Sequence, residues 1–174
     1  MLLFGVVYPL LISAVALLVA PNGGKGEEVL VNGKLVGFEL IGQKFDEDRY
    51  FNSRPSAVDY NAASTGGSNK GPSNPDYLAV VQARIDTLLV HNPSVKREQI
   101  PSDLVTASGG GLDPHISIVA ANIQVARIAK IRNIKPEILT QLIIKNTDGP
   151  WLGLFGTSKV HVLHLNIALD EIKN

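Results

Sequence analysis

Met1–Ala20, MLLFGVVYPLLISAVALLVA, decides the architecture: only Gly5, Pro9 and Ser13 fall outside the apolar set, and no side chain is charged. Twenty helical residues at a rise of about 1.5 Å cover roughly 30 Å, the hydrocarbon thickness of a bilayer. The segment (1–20) therefore reads as a transmembrane helix. A buried core helix fits poorly, because no face of the stretch is polar. Pro9 would cost about 3 kcal/mol inside a soluble helix, whereas a spanning helix tolerates it when neighbouring helices satisfy the freed carbonyl. Proline in a lone anchor is unexpected, so Pro9 suggests packing against other helices. A cleaved signal peptide is the rival reading: Ala14-Val15-Ala16 fits a small-x-small cleavage pattern, although a basic n-region is missing.

Outward from this stretch the composition changes abruptly. Sixteen Lys and Arg balance sixteen Asp and Glu, and every one of them lies from Lys25 onward. Zero net charge argues against a nucleic-acid partner, which calls for a basic footprint. The absence of cysteine excludes disulfide scaffolds, thiolate zinc sites, iron–sulfur clusters and cysteine nucleophiles. Residues 21–26 form a Gly-rich linker, and 27–174 have the make-up of one water-soluble domain. Lys25 and Lys34 follow the apolar segment, which by the positive-inside rule alone would hold that domain in the cytoplasm.

Within 27–174 the patterns alternate between strand and helix, and the fold class is α+β: an N-terminal membrane helix followed by one mixed α/β domain. Asn32-Gly33 between Val29–Val31 and Lys34–Ile41 is a strong hairpin signal, both turn residues taking positive φ cheaply. The small polar stretch from Ala62 to Pro75 is long for a compact domain, hence functional or disordered. Asn74 as N-cap, Pro75 and Asp76 then open a helix whose face is Leu78, Val81, Ile85 and Leu88. Ser117 caps a second helix with Val119, Ile123, Ala126 and then Ala129 or the aliphatic carbons of Lys130 inward, stopped by Asn133. Pro136 opens a third, carrying Ile138, Leu139, Leu142 and Ile143. Asp148-Gly149-Pro150 is a turn, and Val160 to Leu165 reads as a strand passing into a short helix near Leu169.

No stretch carries a strong catalytic signature. Ser68-Asn69-Lys70-Gly71 lacks the residue order of a nucleotide loop, and Gly109–Gly111 lacks a dinucleotide fingerprint; close backbone approach or a tight turn accounts for these glycines better. Asp113-Pro114-His115 could be half of a metal site or an acid/base pair, but Asp113 is better explained as capping the turn before the second helix. His161 and His164 would lie on opposite faces of a strand and make no ligand pair. No Gly-x-Ser-x-Gly elbow is present. Asp46-Glu47-Asp48 reads as a solvated loop, with cation attraction a minor alternative. Arg127, Lys130, Arg132 and Lys135 read as cations at a helix C-terminus, with lipid or partner contact second. Polar Asn/Ser/Gly loops without a catalytic group suggest a docking module.

A series of short motifs runs in order along the chain: Tyr8-Pro9-Leu10, Leu40-Ile41-Gly42-Gln43-x-Phe45, Tyr50-Phe51-x-x-Arg54-Pro55-Ser56-Ala57 and Tyr60-Asn61. Gly66-Gly67-Ser68-Asn69, Pro72-Ser73-Asn74-Pro75 and Asp103-Leu104-Val105-Thr106-Ala107-Ser108 continue it. Gly111-Leu112-Asp113-Pro114-His115-Ile116-Ser117, Gln124-Val125-x-Arg127 and Val160-x-Val162-Leu163-x-Leu165-Asn166-x-Ala168-Leu169-Asp170 complete it. Each is weak alone; in register over nearly the whole chain they are specific. The sequence resembles the C chain of Kdp-type potassium-transporting ATPases.

That resemblance implies a non-catalytic subunit of a bacterial inner-membrane complex, single-pass, with its soluble domain outside the cytoplasm. Partners would be a channel-like A chain, an ATP-hydrolysing P-type B chain, a small F chain and membrane lipid. The role it implies is assistance in assembly and action as a catalytic chaperone that raises the B chain's ATP affinity, by an indirect route. No cofactor would be bound autonomously, and ATP would be met only through the B chain. The docking candidates are Arg54, Pro55, Ser56, Asn61, Ser68, Asn69, Ser73, Asn74, Asp113, His115, Gln124 and Arg127, with Tyr8 and Pro9 packing the membrane helix. The domain would cover or shape the entrance to the potassium-conducting chain, with Asp46–Asp48 enriching cations. The alternatives are a nucleotide-contacting cytoplasmic domain using Ser108 to Asp113, and a membrane-anchored or secreted binding domain without a pump.

Overall fold

The computed structural model describes residues 1–172, and the chain divides into two units, Met1–Leu40 and the part from Ile41 onward. In the first, a π-helical turn over Leu3–Val7 runs directly into α1, Tyr8–Val19. The wide turn has a local cause. Pro9 donates no hydrogen bond and its ring crowds the carbonyl one turn back, so the preceding backbone loosens, and Tyr8 N bonds Leu3 O instead. The helix closes at Val19 because Ala20 precedes Pro21 and takes an extended conformation. The helical run is thus shorter at both ends than 1–20, about 26 Å at the usual rise. Among the described residues no helix is long and apolar enough to cross a membrane. None of its side chains is buried.

The hairpin forms at the expected turn. β1 (Glu28–Val31) pairs antiparallel with β2 (Lys34–Phe38), and Asn32 and Gly33 both take positive φ. The second strand stops at Phe38, before Ile41.

The second unit is organised around α3, Ile118–Arg132. Ser117 caps it by accepting from Ala120 N at 3.0 Å, and Asn133 ends it in the left-handed conformation. Its buried face is only partly the expected one: Ala129 is buried, but Val119, Ala126 and Lys130 are exposed and Ile123 only half-buried, while Ala120, Ala121, Gln124, Val125, Arg127 and Ile128 also face inward. An aliphatic count ranks Val above Ala. Close packing of this central helix instead selects the small residues, and the polar pair bonds an irregular segment, described below. α4 (Pro136–Lys145) places Leu139 and Ile143 in the core and leaves Ile138 half-exposed.

A three-stranded antiparallel sheet, in the order β3 (His115–Ile116), β5 (Lys159–His161), β4 (Thr147–Asp148), closes one side of the unit. The stretch expected to be a strand as far as Leu165 turns helical at once: α5 spans Val162–Asp170. His161 is its N-cap, with Nδ1 accepting from His164 N at 3.4 Å. Val162, Leu165 and Leu169 then fall on one helical face and are buried against Phe51, Ile128 and Leu139.

α2 (Pro75–His91) starts as expected, Asn74 Oδ1 accepting from Tyr77 N at 3.0 Å. Its apolar face is only loosely covered. No residue of α2 is fully buried, Leu78 is about half-exposed, and Leu88 alone of the expected face packs against the core cluster.

Candidate functional site

The segment from Phe45 to Tyr60 has no regular secondary structure, yet Phe51 at its centre is completely buried. Helix side chains substitute for a neighbouring strand. Phe51 N donates to Asn166 Oδ1 and Phe51 O accepts from Asn166 Nδ2, both at 2.9 Å. One residue on, Asn52 N donates to Gln124 Oε1 at 2.8 Å. Both backbone groups of a buried peptide are thus paired without a sheet, as burial requires.

Arg127 locks this arrangement from beneath. Its Nε donates to Asn92 Oδ1 at 3.0 Å, and one terminal nitrogen donates to Asn52 Oδ1 at 2.7 Å and Gln124 Oε1 at 2.8 Å. The other bonds the carbonyl of Asp48, whose carboxylate lies 3.6 Å away. Burial presses the Arg127 pKa downward, and Asp48 opposes that. Arg127 and Gln124 are therefore framework residues of this unit. The expectation of a cation at a helix C-terminus holds for Lys130 and Arg132, which stand in the last turn. Arg132 bonds Asp170 at 2.6 Å and sits 4.8 Å over the Tyr50 ring.

Arg54 and Asp113 meet on the other side of the segment. Arg54 donates to Asp113 Oδ2 at 3.0 Å, and Asp113 Oδ1 accepts from His115 N at 3.0 Å, with His115 Nδ1 at 3.1 Å. Asp113 thus caps its own turn. The His115 side-chain bond, followed by its backbone N–H and the Arg54 charge, outweighs burial and lowers the Asp113 pKa to about 2. An ionised Asp113 fixes Nδ1 of His115 as a donor. His115 lies edge-on to His161 at 5.2 Å, and the ring of His164 stands tilted at 47° against that of His161, with centroids 4.4 Å apart. The two histidines expected on opposite strand faces are therefore neighbours, because the helix begins between them and brings residues three apart to one side.

The glycine runs pack backbone against backbone. Gly66 N donates to Gly110 O at 3.1 Å. A Cβ on Gly67 would meet Gly109 O at 2.8 Å, and one on Gly111 would meet Gly66 O at 2.9 Å. Gly111 also holds φ near +73°, which glycine adopts without penalty. Close approach is what these glycines provide. Ser56 Oγ, the acceptor for Tyr60 N at 2.9 Å and Val58 N at 3.2 Å, and the Tyr60 hydroxyl, which donates to Arg54 O, complete the corner. Burial raises the Tyr60 pKa to about 12, helped by the charge of Asp46.

The docking candidates thus divide in two. Arg54, Ser56, Asn74, Asp113, His115, Gln124 and Arg127 hold internal bonds, and Pro55 is half-buried beside them. Asn61, Asn69 and Ser73 are exposed and Ser68 is half-exposed, all on the 61–73 loop; Asn69 is at positive φ, and Asn61 Oδ1 also accepts from Ala63 N at 3.0 Å. Tyr8 and Pro9 are exposed on the first unit. A cleft of about 610 Å³ opens between α2 and the 44–60 segment, with Leu88, Leu104 and Gln124 among its walls. Asp46 pairs there with Lys44 at 3.1 Å and Asp48 with His91 at 2.8 Å, so these two carboxylates of the acidic run are engaged. Asn52, Asn92 and Asn166 were not singled out from sequence. Asn166 carries a usable signal, four residues after Val162 and three before Leu169, hence on the core face of a short apolar helix.

The charged groups of this arrangement hold backbone and one another in place. The family model described as K+-transporting ATPase, c chain, matches residues 1–171. The chain is 57% identical over 171 residues to the "Potassium-transporting ATPase KdpC subunit" of Flavobacterium psychrophilum, covering 98% of this chain and 91% of that one. The protein of the same name from Flavobacterium johnsoniae is 56% identical over 173 residues, covering 99% and 92%. That of Caldanaerobacter subterraneus is 50% identical over 174 residues, covering 99% and 90%. With the match reaching across the apolar helix, the Phe51 framework and the Asp113 turn alike, the chain belongs to the c-chain family of potassium-transporting ATPases.

Proposed function

We propose that this chain is a non-catalytic, membrane-associated subunit of a potassium-transporting ATPase, and that it works by docking. Family membership over 1–171 carries the reading. Support from the molecule is that its buried polar groups build a frame under an exposed Asn/Ser loop. The uncharged helix Leu3–Val19, exposed along most of its length and too short to cross a bilayer unaided, would lie in the bilayer as a single pass where partner helices and local thinning of the bilayer make up the difference. Tyr8 and Pro9 would then face helices of partner subunits.

The soluble unit would stand outside the cytoplasm, with the 61–73 loop against the potassium-conducting A chain. Contacts with the B and F chains would be made within the membrane. Raised ATP affinity of the B chain would follow indirectly, through the helix or the A chain, with no cofactor held by this chain itself. Potassium filters use carbonyl oxygens, which the conducting chain supplies, so the role here is to shape access.

The test is co-purification of the complex on a tagged copy of this chain carrying Asn69→Gly and Ser73→Ala. Both positions are exposed, and glycine keeps the left-handed backbone at 69. Loss of the A chain from the eluate at an unchanged melting temperature supports the docking surface. Full recovery of an active complex rejects it. A periplasm-dependent reporter fused after Asn174 should be active, and an inactive one places the domain on the wrong side for this role.

A further inference from the structure

Four large apolar side chains are presented together at the tip of the β4–β5 connection. Trp151 is 70% exposed, Leu152 70%, Leu154 80% and Phe155 61%. Nothing in the fold requires them there, and isolated exposed leucines would need no comment. Here, however, they form one contiguous knob: Trp151 and Phe155 face each other at 5.9 Å across a backbone bridge. Leu152 holds φ near +53°, a conformation that a branched side chain enters against steric resistance and that Gly or Asn would enter freely. A turn selected for stability alone would not keep Leu at that position.

We infer that Trp151–Phe155 is a lipid-inserting tip, which enters the interfacial layer of a bilayer with Trp151 at headgroup depth. What favours lipid over a protein groove is the state of the backbone. Trp151 N donates to Phe155 O at 2.8 Å, Gly153 N to Pro150 O at 2.9 Å, Leu154 N to Trp151 O at 3.1 Å and Phe155 N to Trp151 O at 3.0 Å. Hydrocarbon offers no partners to backbone groups, so a segment that enters it must satisfy its own; the tip does so for four of its five amides, and Leu152 N at the apex is left to the headgroups and water of the interfacial layer. The side chains suit the boundary: indole is the amphipathic group enriched at membrane interfaces, flanked here by Leu and Phe. At the root of the tip Asp148 stands opposite Lys159 in the sheet. Their charges cancel, so the attraction is apolar and not an adsorption of basic residues to anionic headgroups.

Trp151 is the only tryptophan of the chain, so it reports on its own surroundings. The full chain is reconstituted into phosphatidylcholine vesicles, with and without phosphatidylglycerol, and its emission is read with brominated-chain lipid and with aqueous iodide as quenchers. The expected result is a blue-shifted emission that loses most of its intensity to brominated lipid, resists iodide, and is unchanged by salt or by phosphatidylglycerol. Leu154→Asp should abolish the lipid quenching while the chain still floats with the vesicles and melts at the same temperature. A chain that floats but whose Trp151 stays iodide-accessible overturns the inference without touching the helix as anchor. A blue shift that develops only when the pump subunits are added, without bromine quenching, assigns the tip to a protein partner and overturns it equally. Chain that does not float with the vesicles overturns both the tip and the anchor.

Discussion

Replacing Asn166 with Leu removes a side chain that closes both backbone groups of a peptide with no other partner. Leu keeps the volume and the apolar fit of α5 but leaves Phe51 N and Phe51 O buried and unpaired, since each bonds Asn166 at 2.9 Å. An orphaned buried group costs about 1–3 kcal/mol, so the pair sums to about 2–6 kcal/mol. The added apolar burial returns about 1 kcal/mol of this. The net expectation is a loss of about 1–5 kcal/mol, with a midrange loss lowering the melting temperature by roughly 10 °C for a domain of this size. Far-UV circular dichroism of the detergent-solubilised full chain measures it, with exposed Asn122→Leu as the control expected to stay near the parent. Gln124→Leu supplies the second arm, because Gln124 holds the next amide, Asn52 N. If the two side chains jointly stand in for a strand, peeling the segment away by one change lessens the effect of the other, and the double variant loses less than the sum by about 1 kcal/mol or more. An Asn166→Leu chain within about 1 kcal/mol of the parent, or strict additivity of the pair, refutes the substitute-strand account.

The remaining predictions test neighbouring parts of the same frame. Gly111→Ala forces an L side chain into positive φ and drives its Cβ to 2.8 Å from Val58 Cγ2; a loss of about 2–4 kcal/mol is expected in denaturant unfolding. Arg127→Met leaves Asn92, Asn52 and Gln124 without their shared donor and should destabilise by about 3 kcal/mol or more, again read from unfolding midpoints. Asp113 is held at about 2 against an ordinary 3.8. A depressed carboxyl stabilises the fold above its unfolded pKa and ceases to do so as pH falls through the folded value. The contribution is therefore complete by about pH 5 and fades between roughly pH 4 and pH 2, amounting to about 1 kcal/mol after screening at a one-third exposed site. Asp113→Asn should flatten the melting-temperature profile across that window, and an unchanged slope there removes the ion-pair explanation.

Local signals carried far into the fold where a single residue type decides the geometry. Asn32-Gly33 set the hairpin because both positions need positive φ, and Asn74-Pro75 and Ser117 fixed two helix starts because each supplies a cap to free amides. Packing was less legible. The inward face of α3 follows Ala120 and Ala121, whose small size matters only once α4, α5 and the sheet close around them. Strand and helix at 159–170 share an apolar pattern too short to separate by period, and the His161 cap that decides the matter acts through its own ring nitrogen. The candidate site was legible as motifs but not as roles. Asn, Gln and Arg in a loop-rich sequence look alike whether they face a partner or a buried peptide, and only the burial of Phe51 shows which ones are structural.

This division changes what an assembly defect can mean for a subunit of this kind. Gln124, Arg127 and Asn166 lie beneath the 45–60 segment, and Gly66, Gly67 and Gly111 join the 61–73 loop to the turn that carries Asp113. Loss of any of these shifts the loop before it removes a contact. A variant at the framework should therefore lower melting temperature and complex recovery together, and recovery should return in part on cooling or at higher expression. A variant at exposed Asn69 or Ser73 has no such route: recovery falls while stability holds, within about 0.5 kcal/mol. Arg54 is the informative intermediate, because its guanidinium bonds Asp113 while its Nε is buried without a hydrogen-bond partner. Arg54→Lys keeps the charge beside Asp113 and loses the planar fork. Should that variant melt like the parent yet fail to hold the complex, Arg54 contacts the partner directly; should both fall together, it belongs to the frame.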